Sequence, residues 1–433
     1  MTTFEEKIQA AYRHEASWAK RYYYAFSRPT VTVGGTPCAL FLGNHSSGKS
    51  SLVNWALGGA AVQDTGVAPT DDGFTVIQYG ETEEETCGPA ALARLPREFE
   101  TLQTLGPLFL QRLRVKTRPL DALRRLTLID SPGMIDAASG AVSRDYDFHA
   151  AVRQFAERAD TVFFLFDPDK PGTTGETLDV FARDLRGLEF KVRVLLNKCD
   201  QFTSLYDFAR AYGTVCWNLA RVLHTKDLPK IYTTYTGDAP ATPPAGMDFA
   251  DFERHRAEFR ATLLNGTARR ADSVRAAAYF DFMGLALRIA VIDEAQYRLS
   301  RVALGVVCLG LAVGGGVGTV VARALRAADG SFPWFALAAG ALACVGALFV
   351  LVQLYQPLRR LHSRRLADAV DALFTAAYRH ETAAGLQDDL RQAWAAQRDE
   401  TAEIIRSATI SRPLFARHHA RQLETFARDL MKT

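Results

Sequence analysis

Residues Gly43 to Ser51 read G-N-H-S-S-G-K-S-S and directly follow the apolar run Cys38-Ala39-Leu40-Phe41-Leu42. A buried strand that opens into a glycine-bracketed loop, and then into a helix, gathers backbone N–H groups and the positive end of the helix dipole at one point. A polyphosphate fits there. Gly43 and Gly48 permit the turn, Lys49 extends a point charge to the outer phosphates, and Ser50 offers its hydroxyl to the Mg²⁺ that bridges them. Gly43, Asn44, His45, Ser46, Ser47, Gly48, Lys49, Ser50 and Ser51 are therefore the expected phosphate-binding residues.

Two downstream motifs follow in the order such a fold requires. Leu126 to Ile129 form a second apolar strand, ending in Asp130-Ser131-Pro132-Gly133. Asp130 would bind the metal's water shell there, and the N–H of Gly133 would meet the last phosphate. Val192-Arg193-Val194-Leu195-Leu196 is a third strand, ending in Asn197-Lys198-Cys199-Asp200. Asp200 would accept two hydrogen bonds from a guanine edge, the Lys198 stem would cover the ring, and Asn197 would help frame the base. Ligands of doubly wound sheets bind at the carboxyl ends of strands, so the three motifs converge on one crevice. The expected fold class is α/β, a P-loop G domain with a mostly parallel sheet and helices on both faces. Its expected ligands are Mg²⁺ with GTP, or with ATP.

With 433 residues the chain exceeds one ordinary core and should divide. Fifty-one Lys and Arg against 48 Asp and Glu leave a net charge of +3, which argues against nucleic-acid binding by bulk charge. The cysteines, Cys38, Cys87, Cys199, Cys216, Cys308 and Cys344, lie far apart without a C-x-x-C pair, as in a reducing compartment. Met1 to Lys20 carries Glu5, Glu6 and Glu15 and lacks an apolar core, so a secretory leader is not expected.

Val302 to Ala322 and Phe332 to Val352 are free of charge, and each contains 21 residues, about 31 Å as a helix, against a hydrocarbon core of about 30 Å. They form an expected transmembrane hairpin, with a buried core hairpin as the alternative. Gly310, Gly314 and Gly318 recur every fourth residue and would let a second helix approach closely in lipid. Arg298 and Arg301 precede the pair, Arg359, Arg360, Arg364 and Arg365 follow it, and the link between is less basic. The positive-inside bias then puts the G domain and both termini on the cytosolic side of an intracellular membrane.

The expected organisation is a helical segment over 1–30, the G domain over 31–238 and a helical domain over 239–301. The hairpin follows over 302–355 and a helical C-terminal segment over 356–433. Phe4, Ile8, Ala11, Tyr12 and Trp18 mark the first helix, and Leu366, Val370, Leu373, Phe374 and Ala377, then Leu386, Leu390 and Trp394, mark the last ones. The loop-forming run Asp238 to Gly246 closes the G domain.

Val142-Ser143-Arg144-Asp145-Tyr146-Asp147-Phe148, Phe155-Ala156-Glu157-Arg158-Ala159-Asp160 and Phe164-Leu165-Phe166-Asp167 together resemble the EH-domain-containing (EHD) ATPases of the dynamin superfamily. The resemblance covers roughly residues 31 to 300, because Phe252 to Asp293 looks like that family's helical segment after the G domain. It implies a membrane-remodelling NTPase whose helical domain is built from both flanks of the G domain and which dimerises and oligomerises on membranes. Three features depart from the family. Nothing after Pro357 offers a D-x-D-x-D-G calcium loop, so no EH module is expected. The hairpin is instead similar to that of mitofusins and their bacterial dynamin-like relatives. The switch segment reads Pro69-Thr70-Asp71-Asp72, where the family has two adjacent threonines.

In that segment Thr70 is the expected second metal ligand; if Asp71 holds the position instead, the altered charge balance would slow hydrolysis. Met134 and Ile135 follow Gly133 where a water-orienting glutamine would stand. Dynamin-type proteins share this gap and fill it through the first phosphate loop and G-domain dimerisation. His45 is a candidate modulator at the third loop position, or an ordinary loop histidine. The expected activity is hydrolysis of a nucleoside triphosphate on a lipid bilayer by a homodimer or homo-oligomer formed through the G domain. The catalytic set is Lys49, Ser50, Thr70, Asp130 and Gly133. The alternative is a tethered switch or scaffold with little turnover.

Overall fold

The computed structural model describes residues 4–27, 34–65, 73–134, 144–169, 175–222, 229–238, 246–329, 334–379, 390–391, 393–395, 397–407, 413 and 415–432. Pro69, Thr70, Asp71, Asp72, Ile135, Val142, Ser143 and Leu386 lie outside them.

Eight strands build one sheet: β1 (Cys38–Gly43), β2 (Thr75–Tyr79), β3 (Glu84–Cys87), β4 (Arg114–Arg118), β5 (Thr127–Asp130), β6 (Thr161–Phe166), β7 (Val192–Leu196) and β8 (Ile231–Thr233). Their spatial order is β3-β4-β2-β5-β1-β6-β7-β8. β1 lies between β5 and β6 and runs parallel to both, and β7 and β8 continue in the same sense. The sheet is mostly parallel, as expected, with β2 antiparallel to β5 and β3 antiparallel to β4.

Every residue of β1 and β6 is buried, which is why both read as unbroken apolar runs: a parallel strand is covered on two faces. Alternate side chains serve opposite cores. Leu40, Leu42, Val162, Phe164, Val194 and Leu196 join Phe155 of helix Phe148–Arg158 and Val215 of helix Leu205–Val222. Ala39, Phe41, Phe163, Leu165 and Leu195 join Leu52 and Val53 of helix Lys49–Ala56 and Phe259 of helix Phe249–Leu264. Helices thus cover both faces, and β1, β5 and β7 all end on the same edge.

The chain divides into two compact units, Met1–Ala16 with Phe26–Ala278, and Ser17–Ala25 with Tyr279–Thr433. In the first, the Arg270 guanidinium donates to Glu5 and Glu98, both at 3.1 Å, and lies 3.7 Å from Asp160. Asp160 also accepts from the Cys38 amide at 2.9 Å. Residues from before and after the sheet therefore meet around one buried cation, whose charge three carboxylates offset. In the second unit Arg288 donates to the Tyr23 carbonyl at 2.7 Å and to Glu400 at 2.6 Å, and Trp18 stacks on His419 at 4.1 Å. There too the chain's two flanks pack on each other.

One helix runs from Gly266 to Asp329. No loop interrupts it near residue 302, where a segment boundary was expected, because a change from amphipathic to uniformly apolar composition leaves the backbone hydrogen bonding intact. Its stretch Arg269–Val320 is long and apolar enough to cross a membrane, with an 18-residue window of mean hydropathy 2.0 that is only 11% buried. Leu304, Leu309, Leu311, Val313 and Val320 are exposed there. Gly310 and Gly314 are buried among them. The next helix, Trp334–Asp368, exposes Leu342, Val345, Phe349 and Val350.

Phe259 meets Phe163 edge-on at 5.1 Å and Phe41 at 6.5 Å, pinning helix Phe249–Leu264 to the sheet. Phe259→Ala should remove about 3–5 kcal/mol of stability. Urea unfolding followed by tryptophan fluorescence measures it, and Trp55, stacked on Phe259 at 6.5 Å, makes the probe local.

Candidate functional site

Where β1 ends, the chain turns through Asn44 to Ser47 and enters helix Lys49–Ala56 at Gly48. Gly48 has φ 87° and ψ 23°, a left-handed conformation, and no side chain caps the helix start. The first helical N–H groups are therefore left for an anion. A Cβ at Gly48 would lie 2.5 Å from Asn197 Nδ2, so the third motif touches the first at this point. Gly133, from the second motif, packs so closely that a Cβ there would lie 2.6 Å from His45 Cα. His45 N donates to the Met134 carbonyl at 2.9 Å, and Met134 N to the Gly43 carbonyl at 3.1 Å. Two of the three motifs are hydrogen-bonded backbone to backbone.

Lys49 is buried, and its ammonium donates to the Gly43 carbonyl at 2.9 Å and the Asn44 carbonyl at 3.0 Å. Burial pulls its pKa down to about 8; the Asp130 charge opposes the shift and the Arg144 charge adds to it. Asp130 is buried as well, and burial lifts its carboxyl above the usual range against the pull of Lys49, Gln63 and Ser50. Asp130 Oδ2 accepts from Ser50 Oγ and from Gln63 Nε2, both at 2.8 Å. Five buried side-chain atoms in this part of the chain have no described partner: Ser47 Oγ, Gln63 Oε1, Thr75 Oγ1, Asp130 Oδ1 and Ser131 Oγ. Thr75 is the residue opposite Asp130 across β2 and β5. Buried polar atoms are ordinarily satisfied, so a cluster of such groups suits a polar ligand.

The donor set suits Mg²⁺. Ser50 hydroxyl and Asp130 carboxylate are hard oxygen donors, too few to enclose an ion, as expected of one that keeps waters and shares phosphate oxygens. Among the described residues no group of three His, Cys, Asp or Glu could hold a metal unaided.

On the base side, Asn197 spends both ends of its amide inside the protein. Nδ2 donates to the Ser47 carbonyl at 2.9 Å, and Oδ1 accepts from Thr234 Oγ1 at 3.1 Å. Lys198 sits in the left-handed region at φ 57°, and its ammonium pairs with Asp167 at 2.7 Å. Asp200 is half-buried. Residues 40–199, which contain the loop and both later strand-end motifs up to Cys199, match the sequence profile of the dynamin family. The chain carries a dynamin-family G domain.

The chain is similar to EH domain-containing protein 2 of Homo sapiens, 33% identical over 298 residues, covering 64% of this chain and 53% of that protein. EH domain-containing protein 2 of Arabidopsis thaliana is 31% identical over 258 residues, covering 57% and 46%. The chain spans about half the length of these relatives. Among solved structures, one described as an oligomerised bacterial dynamin pair aligns with 99% of this chain and 72% of its own. It does so at 12% identity and a TM-score of 0.37, a likeness too distant to position any element.

The structure brings Gly43, Asn44, His45, Ser46, Ser47, Gly48, Lys49, Ser50, Asp130, Gly133, Asn197 and Lys198 of the dynamin-family domain to one sheet edge; Thr70 lies outside the described residues. Three contributors were not among the expected site residues. Gln63 holds Asp130, and Asn54 holds the backbone of Val62 and Gln63. Arg144 donates to the Gly133 carbonyl at 2.7 Å and to Glu176 at 2.6 Å, and stacks on Phe148. The family-like run around Arg144 was legible in the sequence, but its contact with Gly133 was not.

A bound polyphosphate favours the Lys49 ammonium. With the free pKa near 8, triphosphate binding should take up a proton between about pH 8 and 9, and the uptake should vanish well below 8, where Lys49 is already charged. The folding linkage has the matching sign. The unfolded chain holds this proton up to the ordinary 10.5, so Lys49 opposes the fold at neutral pH and the penalty fades as pH rises through 8. Calorimetry in buffers of different ionisation enthalpy reads the proton count; no uptake at pH 8.5 would contradict the assignment.

Proposed function

We propose that the chain is a membrane-anchored, dynamin-like GTPase that binds and hydrolyses GTP with Mg²⁺ and couples the cycle to assembly or membrane remodelling. The observation that carries this reading is the convergence of Lys49, Ser50, Asp130 and Asn197 at one sheet edge, beside five buried polar atoms that have no described partner.

Lys49 exchanges its two carbonyl partners for the outer phosphate oxygens, and the N–H groups from Asn44 to Ser51 hold the rest of the chain of phosphates. Ser50 and Thr70 would hold Mg²⁺, which would supply charge neutralisation for the phosphates, and Asp130 would order its waters. Gly133 reads the last phosphate through its N–H, held in place by Arg144 on its carbonyl. Asn197 braces the loop to the base site, the Lys198 stem covers the ring, and Asp200 accepts from the guanine edge. Adenine lacks the donors Asp200 needs, which favours GTP over ATP.

The exposed apolar faces of the helices Gly266–Asp329 and Trp334–Asp368 support a lipid-spanning hairpin, since a core helix of a soluble protein would bury them. The arginines on both outer flanks support a cytosolic G domain and termini. In this reading 1–30 and 239–301 form the helical part with 356–433, 31–238 is the motor, and 302–355 is the anchor. Met134 stands where a water-orienting glutamine would, and its thioether side chain cannot take that role, so in this reading a second G domain orders the attacking water. The same observation favours the second reading, a tethered switch that binds GTP and scarcely turns it over.

Specific activity of the reconstituted protein should climb with its density in liposomes, because confinement raises the effective concentration of neighbouring G domains. GTP and ATP are assayed in parallel, with Lys49→Ala as the variant that loses nucleotide binding. Density-independent turnover would leave the switch as the better account. The full chain should also stay in the membrane through carbonate extraction, whereas deletion of Val302 to Val352 should yield a soluble, nucleotide-binding protein. Release of the full chain at high pH would make the two apolar segments core helices.

A further inference from the structure

Gln63 is buried, and its position is set by another amide. Asn54, on the helix that follows the phosphate loop, accepts from the Val62 N–H at 3.1 Å and the Gln63 N–H at 2.9 Å, and donates to the Gln63 carbonyl at 2.8 Å. The buried Lys116 ammonium donates to the Val62 carbonyl at 3.3 Å. Backbone held at this many points leaves the Gln63 side chain little choice of direction. Its Nε2 donates to Asp130 Oδ2 at 2.8 Å, the same oxygen that Ser50 Oγ reaches. Its Oε1 is buried and has no described partner, and neither has the other Asp130 oxygen.

A glutamine that served only to tether the segment would satisfy its carbonyl or expose it to water. Here two lone acceptors, Gln63 Oε1 and Asp130 Oδ1, belong to a hydrogen-bonded pair at the Ser50 hydroxyl. A water of a hydrated cation is the donor that fits: it is polarised, it has two protons to give, and Mg²⁺ keeps such waters. Metal sites are tuned by groups of this kind, which hold the ligands without touching the ion.

We propose that Gln63 is a positioning residue of the Mg²⁺ site, orienting the Asp130 carboxylate through its N–H and accepting a hydrogen bond from the ion's water shell through its Oε1. This rests on the nucleotide-binding reading above. It adds a residue from the segment that leads toward Thr70, so that metal occupancy and the placement of residues 62 and 63 are coupled through Asn54. Ser50 and Gln63 share the same Asp130 oxygen. When Ser50 turns to the metal, Gln63 becomes the group that keeps the carboxylate in place.

The test is a Mg²⁺ titration, starting from EDTA, of full-length protein in detergent bound to a fluorescent non-hydrolysable GTP analogue, or to the ATP counterpart if that binds more tightly. Gln63→Met, of similar length and without polar atoms, should raise the Mg²⁺ midpoint about tenfold and leave the metal-free nucleotide affinity unchanged. A purely structural role would lower thermal stability without moving that midpoint, so a midpoint equal to wild type in the folded variant overturns the proposal. Should Gln63→Met fail to fold, Gln63→Asn decides: it keeps the amide but is one methylene too short to reach Asp130, so its midpoint should rise, and an unchanged one overturns the proposal. Wild-type protein that binds neither analogue would overturn the nucleotide-site reading itself, and this inference with it.

Discussion

The Asp130 carboxylate joins parts of the chain that are far apart in sequence. It ends β5, faces Thr75 across the sheet, and receives hydrogen bonds from Ser50 behind the phosphate loop and from Gln63 beyond the following helix. Burial penalises its charge, and burial likewise penalises the Lys49 ammonium nearby. Each ion softens the other's penalty without removing it. A pocket that holds an acid and a base both at odds with their surroundings is one that a polyanion and a dication together relieve.

The three strand-end motifs were legible because their signals are local. Glycine is required where a side chain has no room, and a lysine and a serine must follow at fixed offsets; all of this is written within a few residues. Gln63, Asn54 and Arg144 had no such signal. Each acts on a group distant in sequence, and nothing in the neighbourhood of Gln63 distinguishes it from a loop glutamine. Asn197 lies between these cases. Its motif marked the strand end, yet spacing alone does not say which groups its amide meets, and both turn out to be protein. The β3-β4-β2 side of the sheet was equally invisible, because β2 ends in half-buried residues and β3 is mostly exposed, so neither forms a long apolar run.

Hydropathy and backbone gave different divisions of the second half of the chain. The change at residue 302 is real as chemistry, since the side chains beyond it are apolar and uncovered. The helix nevertheless runs through it from Gly266 to Asp329. Helical hydrogen bonds are internal to the segment and persist whether its surroundings are protein, water or lipid, so a change of composition need not end the element. Gly310 and Gly314 follow the same logic in reverse: small residues among exposed neighbours are the ones that become covered.

The sheet order also dictates when the site can exist. Ser50 and Asp130 are 80 residues apart along the chain, and Ser47 and Asn197 are 150 apart, yet both pairs are within hydrogen-bonding distance. Pairings of such long range carry a high loop-closure cost and form late in folding. The loop sequence alone is therefore a poor trap for phosphate in a nascent or partly unfolded chain. A nucleotide meets a complete site only after β1 has acquired β5 on one side and β6, with β7 beyond it, on the other. Any ligand of the assembled site stabilises the whole domain by mass action, so finished chains gain a stability that unfinished ones do not.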